Sequence, residues 1–133
     1  MGMVKVGGSE HVRHLETVRS IKARFNDQAA VAFLTSTWQE RRTRSGIPST
    51  GFCYVASWAY FSLMGGEKAG LRVFKTGRGE DGHFWVESIR EGRVDITADQ
   101  FPDGFDYSEG RVRAMCSDPY AVGAFLRLIK SGV

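Results

Sequence analysis

Three side chains of this chain can do covalent chemistry together: the thiol of Cys53, the imidazole of His83 and the carboxylate of Asp95, in that order. The thiolate is the nucleophilic form of cysteine, and a free thiol is mostly protonated at neutral pH. A reacting cysteine therefore needs a device that favours loss of its proton. A helix N-terminus supplies one through its dipole, and a neighbouring imidazole supplies another. A carboxylate on the second ring nitrogen then fixes the imidazole's tautomer and direction. Such a set performs acyl transfer, in which sulfur attacks a carbonyl carbon and the imidazole takes and returns the proton. Each residue also has an inert reading. Free cysteine is among the most buried residue types. His83 can be a satisfied histidine at a strand end, and Asp95 a turn or surface carboxylate. Cys116 has no partner motif and reads as structural.

The elements that must hold these groups follow from local patterns. Between Phe52 and Met64 only Ser57 and Ser62 are polar. A helix that is apolar all round must be covered on all sides, so this stretch is expected to be the central buried helix. Gly65-Gly66 ends it, Ser49 or Thr50 can cap its start, and Cys53 falls in its first turn. Upstream, Ser9 is expected to cap a first helix with Val12, Leu15, Val18, Ile21 and Phe25 at helical spacing. His11 and His14 lie on it and read as surface histidines, because a metal pair would need further ligands. Asn26-Asp27 breaks the pattern and caps a second helix to about Glu40, with Ala30, Phe33, Leu34 and Trp38 on one side. "RRTRSGIPSTG" reads as a loop from its Gly, Pro and Ser.

After residue 66 the period changes to two. Strands are expected over 71–77, 83–90, 93–97 and 111–116, with "RGEDG" as the first turn and Glu91-Gly92 as a tight hairpin turn. Asp118-Pro119 opens a last helix with Val122, Phe125, Leu126 and Ile129 as its apolar side. Helices, then an antiparallel meander, then a closing helix make an α+β chain. A two-residue turn at Glu91-Gly92 sets Ser88 opposite Asp95, leaving His83 about five residues away along the strand. Direct contact between His83 and Asp95 thus requires a longer or bulged hairpin, or another register. Trp85 shares the strand face of His83 and is expected in the core. Asp99 and Gln100 either line a cleft or cap the turn after the third strand, and capping is preferred. For a developing oxyanion the backbone N–H of Cys53 is one donor by helix position, with Gln39 a possible side-chain donor.

The chain has 133 residues, 42% of them hydrophobic, which suits a single domain over 1–133 with its own core. Its net charge of +3 is spread along the sequence apart from Arg41, Arg42 and Arg44. No basic stripe with interleaved aromatics is present, which argues against nucleic acid. Two cysteines are too few for a secreted disulfide scaffold. The start, "MGMVKVGGSEH", lacks a signal peptide's apolar core, and no apolar run is long enough for a bilayer. The expectation is a cytoplasmic protein with free thiols, no membrane partner, no metal and no cofactor.

"CYVAS" (53–57), "HFWVE" (83–87) and "DIT" (95–97) together resemble the motif blocks of the transglutaminase-like branch of papain-like cysteine proteases, over residues 49–101. Phe52 stands where that family often has Trp, and Ile96 where Pro often follows the Asp. The resemblance implies a papain-like α+β fold: a central buried helix carrying Cys53, packed on a small antiparallel sheet, with helices before and after it. It implies a Cys53-His83-Asp95 triad and thiol-dependent acyl transfer or hydrolysis on a protein or peptide amide, as in a cysteine peptidase, glutamine deamidase or transglutaminase. Two further readings stay open: the same fold kept as a catalytically inactive protein-binding module, and a thioester-dependent acyltransferase such as the arylamine N-acetyltransferases. Alkylation of the thiol at slightly acidic pH separates an activated cysteine from a buried structural one.

Overall fold

The computed structural model describes residues 2–77 and 82–131, with the backbone alone for 2–8. The expected turn at "RGEDG" falls mostly on 78–81, outside the described residues. Among the described residues the architecture is mixed α+β: five α-helices and a four-stranded antiparallel sheet. Among the described residues no helix is long and apolar enough to cross a membrane.

The first helix, α1, runs Gly2–Ala23, so Ser9 lies inside it and does not cap it. No proline interrupts residues 2–23, and a helix once nucleated extends at little cost per residue. Of its apolar stripe only the C-terminal part is covered. Ile21 is buried, and Phe25 is buried just beyond the helix, whereas Val12 and Leu15 remain 52% and 48% exposed. Asp27 caps as expected, its carboxylate accepting from Ala29 N at 2.9 Å. The single second helix is instead two: α2 (Gln28–Val31) and α3 (Ser36–Ser45). Thr35 starts the new helix, its hydroxyl accepting from Trp38 N at 3.3 Å. That helix consumes the first half of the expected loop, and Gly46, with φ at 71°, ends it. The five residues Arg41 to Ser45 carry no helix breaker, which is why they continue it.

The central helix, α4 (Cys53–Leu63), buries seven of its residues, among them Cys53, Trp58 and Tyr60. Its end is a Schellman motif: Gly66 N donates to Phe61 O at 2.8 Å and Gly65 N to Ser62 O at 3.4 Å, with both glycines at positive φ. Its start has no side-chain cap. The expected capping hydroxyls are engaged elsewhere, Ser49 Oγ with Asp99 Oδ1 at 2.5 Å and Thr50 Oγ1 with Ser45 Oγ at 2.9 Å.

The strands are β1 (Leu71–Thr76), β2 (His83–Ser88), β3 (Gly92–Val94) and β4 (Arg111–Arg113), in the spatial order β3-β2-β1-β4. The expected meander would set β4 beside β3; it pairs with β1 instead. Residues 95–110 account for this, because they carry Phe101, Phe105 and Tyr107 across the sheet face on which His83 and Trp85 stand. Gly110 ends this strap against Trp85, so close that a Cβ there would collide with the indole. On the other sheet face Val73, Val86 and Val94 join α4, α5 (Pro119–Ser131), Ile21 and Phe25 in one core. Val122, Phe125 and Ile129 are the buried face of α5, and Asp118 Oδ1 accepts from Ala121 N at 3.1 Å at its start.

Candidate functional site

The β2–β3 hairpin decides whether His83 meets Asp95. Ser88 pairs with Gly92, Glu87 with Arg93 and Val86 with Val94. Ile89, Arg90 and Glu91 therefore form a three-residue loop, closed by Gly92 at φ 76°. Such loops place a glycine in the left-handed region after a turn. This register differs from that of a two-residue turn at Glu91-Gly92. It brings Asp95, just past β3, close to His83, and His83 Nε2 lies 2.7 Å from Asp95 Oδ2. A carboxylate can only accept, so Nε2 carries the proton and Nδ1 has the free lone pair. The two side chains are 3% and 4% exposed. Nδ1 and Asp95 Oδ1 are buried without a hydrogen-bond partner.

Cys53 is the first residue of α4, where the leading N–H groups of a helix have no intrahelical acceptor. Its Sγ lies 3.9 Å from the carbonyl oxygen of Gly82, the residue immediately before His83. Burial pushes the Cys53 thiol up from 9.0 to about 11, with the Asp95 charge adding to the rise. Backbone N–H groups of Phe84, Tyr54 and Cys53 pull the other way without reversing it. The resting sulfur is thus a protonated thiol, and no hydrogen bond joins it to Nδ1. A thiolate here requires Nδ1 to take the proton as sulfur attacks, rather than a standing ion pair.

Cys53 and His83 open on one cleft of about 310 Å³, walled by Trp38 and Arg41 of α3, Thr50, and Gln100, Phe101 and Phe105 of the strap. The His83 ring sits among aromatic rings: Phe101 and Phe105 with centroids at 4.6 Å and Trp85 at 5.8 Å. Trp85 is buried on the strand face of His83, as its spacing predicts, and its Nε1 donates to Glu87 at 2.8 Å.

Other sequence candidates lie elsewhere. Gln39 Nε2 donates to Leu34 O at 2.9 Å, and Gln39 does not line the cleft. Asp99 and Gln100 do not cap the turn: Asp99 holds Ser49, while Gln100 lines the cleft and donates from Nε2 to Thr97 Oγ1 at 2.8 Å. A hydroxyl across the loop and one three residues back compete for these polar ends better than the local backbone does. Cys116 is a free, half-buried thiol whose Sγ lies 3.0 Å from Tyr54 Oη, a contact that ties the 116–118 turn to α4. His11 is exposed, but His14 is not a surface group: it packs against Tyr60. Among the described residues no group of His, Cys, Asp and Glu could hold a metal ion.

Sequence reasoning missed Tyr107, whose hydroxyl donates to Asp95 Oδ2 at 2.6 Å. The signal was three aromatics, Phe101, Phe105 and Tyr107, within a stretch otherwise rich in Pro, Gly and Asp. Comparison of the chain with protein-family models, with curated proteins and with solved structures finds no match.

Proposed function

We propose that the chain is a thiol-dependent acyl-transfer enzyme of papain-like, transglutaminase-like architecture acting on a protein or peptide amide. Cys53 Sγ attacks the carbonyl carbon while its proton passes to His83 Nδ1. The tetrahedral intermediate expels the amine, which takes that proton, and leaves an acyl-thioester. Water or an acceptor amine then resolves the thioester. Asp95 holds the ring through Nε2 and stabilises the imidazolium. The N–H groups at the start of α4 are donors for the developing oxyanion. One observation carries the reading: His83 has one nitrogen held by a buried carboxylate and the other without a partner, in the cleft that Cys53 lines. Such an arrangement is how a general base is set up.

A specific observation favours a second reading, a protein-binding module. The thiol is pushed up rather than down, and its sulfur is closest to the Gly82 carbonyl in hydrogen-bond terms. A single experiment separates the two. The protein is mixed with p-nitrophenyl acetate, p-nitrophenolate release is followed, and the acylated residue is located by mass spectrometry. The enzyme reading expects acetyl on Cys53, lost in Cys53→Ala and strongly slowed in His83→Ala. Equal rates in the wild type and Cys53→Ala would leave the binding module as the better account. Because the resting thiol is protonated, base assistance by His83 replaces alkylation at acidic pH as the discriminating signature.

A further inference from the structure

Asp95 meets two donors on one oxygen. His83 Nε2 lies 2.7 Å and the Tyr107 hydroxyl 2.6 Å from Oδ2, while Oδ1 is buried with no partner. A carboxylate pinned through a single oxygen to a single donor can pivot about that contact; a second donor on the same oxygen fixes it. Tyr107 is itself fixed. The Arg93 guanidinium sits over its ring at 4.0 Å, and Trp85 and Phe105 meet it with centroids at 4.9 and 5.0 Å. Gly110, pressed on the same indole, sets the height at which the strap crosses the sheet.

We propose that Tyr107 is a positioning residue for His83, acting through Asp95, an inference that rests on the acyl-transfer reading of this site. Burial and the adjoining Asp95 charge hold the Tyr107 proton well above the usual phenol range, so the hydroxyl is a donor at every pH at which the protein works. It neither touches the cleft nor moves a proton. Its effect is to hold Oδ2 in place and to draw off part of the negative charge that Oδ2 would otherwise present to Nε2. Donors sharing one acceptor weaken each other.

Tyr107→Phe removes the hydroxyl and keeps the ring. The readout is the downfield proton resonance of His83 Nε2–H, assigned by its loss in His83→Ala, together with the rate of acylation by p-nitrophenyl acetate. With Nε2–H as sole donor its bond to Asp95 strengthens, so the resonance moves further downfield, and the less constrained carboxylate lowers acylation about tenfold. Site-specific 3-fluorotyrosine at position 107, a stronger donor of unchanged shape, moves the resonance the opposite way and keeps the proposal testable should the Phe variant fold poorly. A resonance unmoved by either change overturns the proposal. So does a moved resonance with an unchanged acylation rate when Cys53→Ala is inert. If instead the wild type acylates no faster than Cys53→Ala, it is the acyl-transfer reading that fails, and the resonance still decides whether Tyr107 holds His83.

Discussion

Each end of α4 sets a histidine beside a weakly acidic side chain of the helix, a thiol at one end and a phenol at the other, and the same hairpin supplies a carboxylate to each. At the N-terminal end stand Cys53, His83 and Asp95. Toward the C-terminal end stand Tyr60, His14 and Glu91, with His11 beside them. There Tyr60 Oη lies 2.6 Å from His14 Nδ1, and Glu91 Oε1 lies 3.9 Å from His14 Nε2 and 3.1 Å from His11 Nδ1. Both nitrogens of His14 face a polar group, and His14 and Glu91 are 14% and 13% exposed. At the other end both side chains are more deeply buried, and one imidazole nitrogen has nothing to bond. A histidine beside a carboxylate therefore does not by itself distinguish the proposed reactive cluster from a tethering one. The number of nitrogens left over, and the water left around them, does.

The largest difference expected between the two ends is in reactivity. Cys53→Ala abolishes acylation by p-nitrophenyl acetate and His83→Ala slows it about 10²- to 10⁴-fold, the range that general-base assistance contributes. His14→Ala leaves the rate where it was. A comparable loss in His14→Ala at unchanged stability would break the contrast.

Next comes the stability of the two carboxylates. Asp95→Ala strands a buried imidazole and a half-buried phenol without their acceptor, and leaving a buried donor unsatisfied costs about 1–3 kcal/mol. Glu91→Ala removes a partly hydrated pair worth about 1 kcal/mol or less. Urea unfolding of both variants checks the order. In the acylation assay Asp95→Asn should cost less than His83→Ala, because in the proposed mechanism Asp95 orients rather than transfers the proton.

The pH dependence of stability sharpens the same point. The thiol of Cys53 is raised from 9.0 to about 11, so the folded state holds that proton more tightly than the unfolded chain. Its contribution is fully present below pH 9.0 and is lost as pH rises to about 11. Two pH units correspond to roughly 2–3 kcal/mol. Tyrosines of the unfolded chain also ionise in that window, so the measurement is the difference between the wild type and Cys53→Ala. The wild type should lose more stability than Cys53→Ala on going from pH 8 to pH 11, and parallel curves would mean that the sulfur is more hydrated than its surroundings imply.

The last contrast concerns the strap. Gly110→Ala puts a methyl into the Trp85 indole, and overpacking of this kind costs about 1–3 kcal/mol. Gly104→Ala, whose Cβ would meet nothing, tests the strap without a clash. Its cost is limited to the positive φ of 92°. Thermal melts of the pair separate contact from backbone strain.

Several elements were legible from neighbours in sequence alone. A run from Phe52 apolar but for Ser57 and Ser62, closed by two glycines, reads as a covered helix with a left-handed stop, and α4 is that helix. Asp118-Pro119 before a 3.6-period stripe specifies α5 in the same way. Cys53, His83 and Asp95 stood out because few residue types do such chemistry and their order suits it. What lay beyond reach depended on contacts distant in sequence. "EG" is compatible with a two-residue turn, yet Gly92 is used as the left-handed residue that closes a three-residue loop, and that choice sets the register bringing Asp95 to His83. The break between α2 and α3 and the course of α3 through Arg41 to Ser45 were likewise hidden, since the spacing of Ala30, Phe33, Leu34 and Trp38 suits one helix as well as two. The place of β4 beside β1 depends on a strap whose aromatics bury against Trp85, and Tyr107 reaches Asp95 only because that strap crosses the sheet. Sequence patterns determined which groups were available and which helix would carry the thiol. Tertiary packing decided which nitrogen of His83 would be held, which would be left free, and that burial would keep the Cys53 thiol protonated, because a charge, a hydrogen bond and exclusion of water each depend on distances that no local pattern fixes.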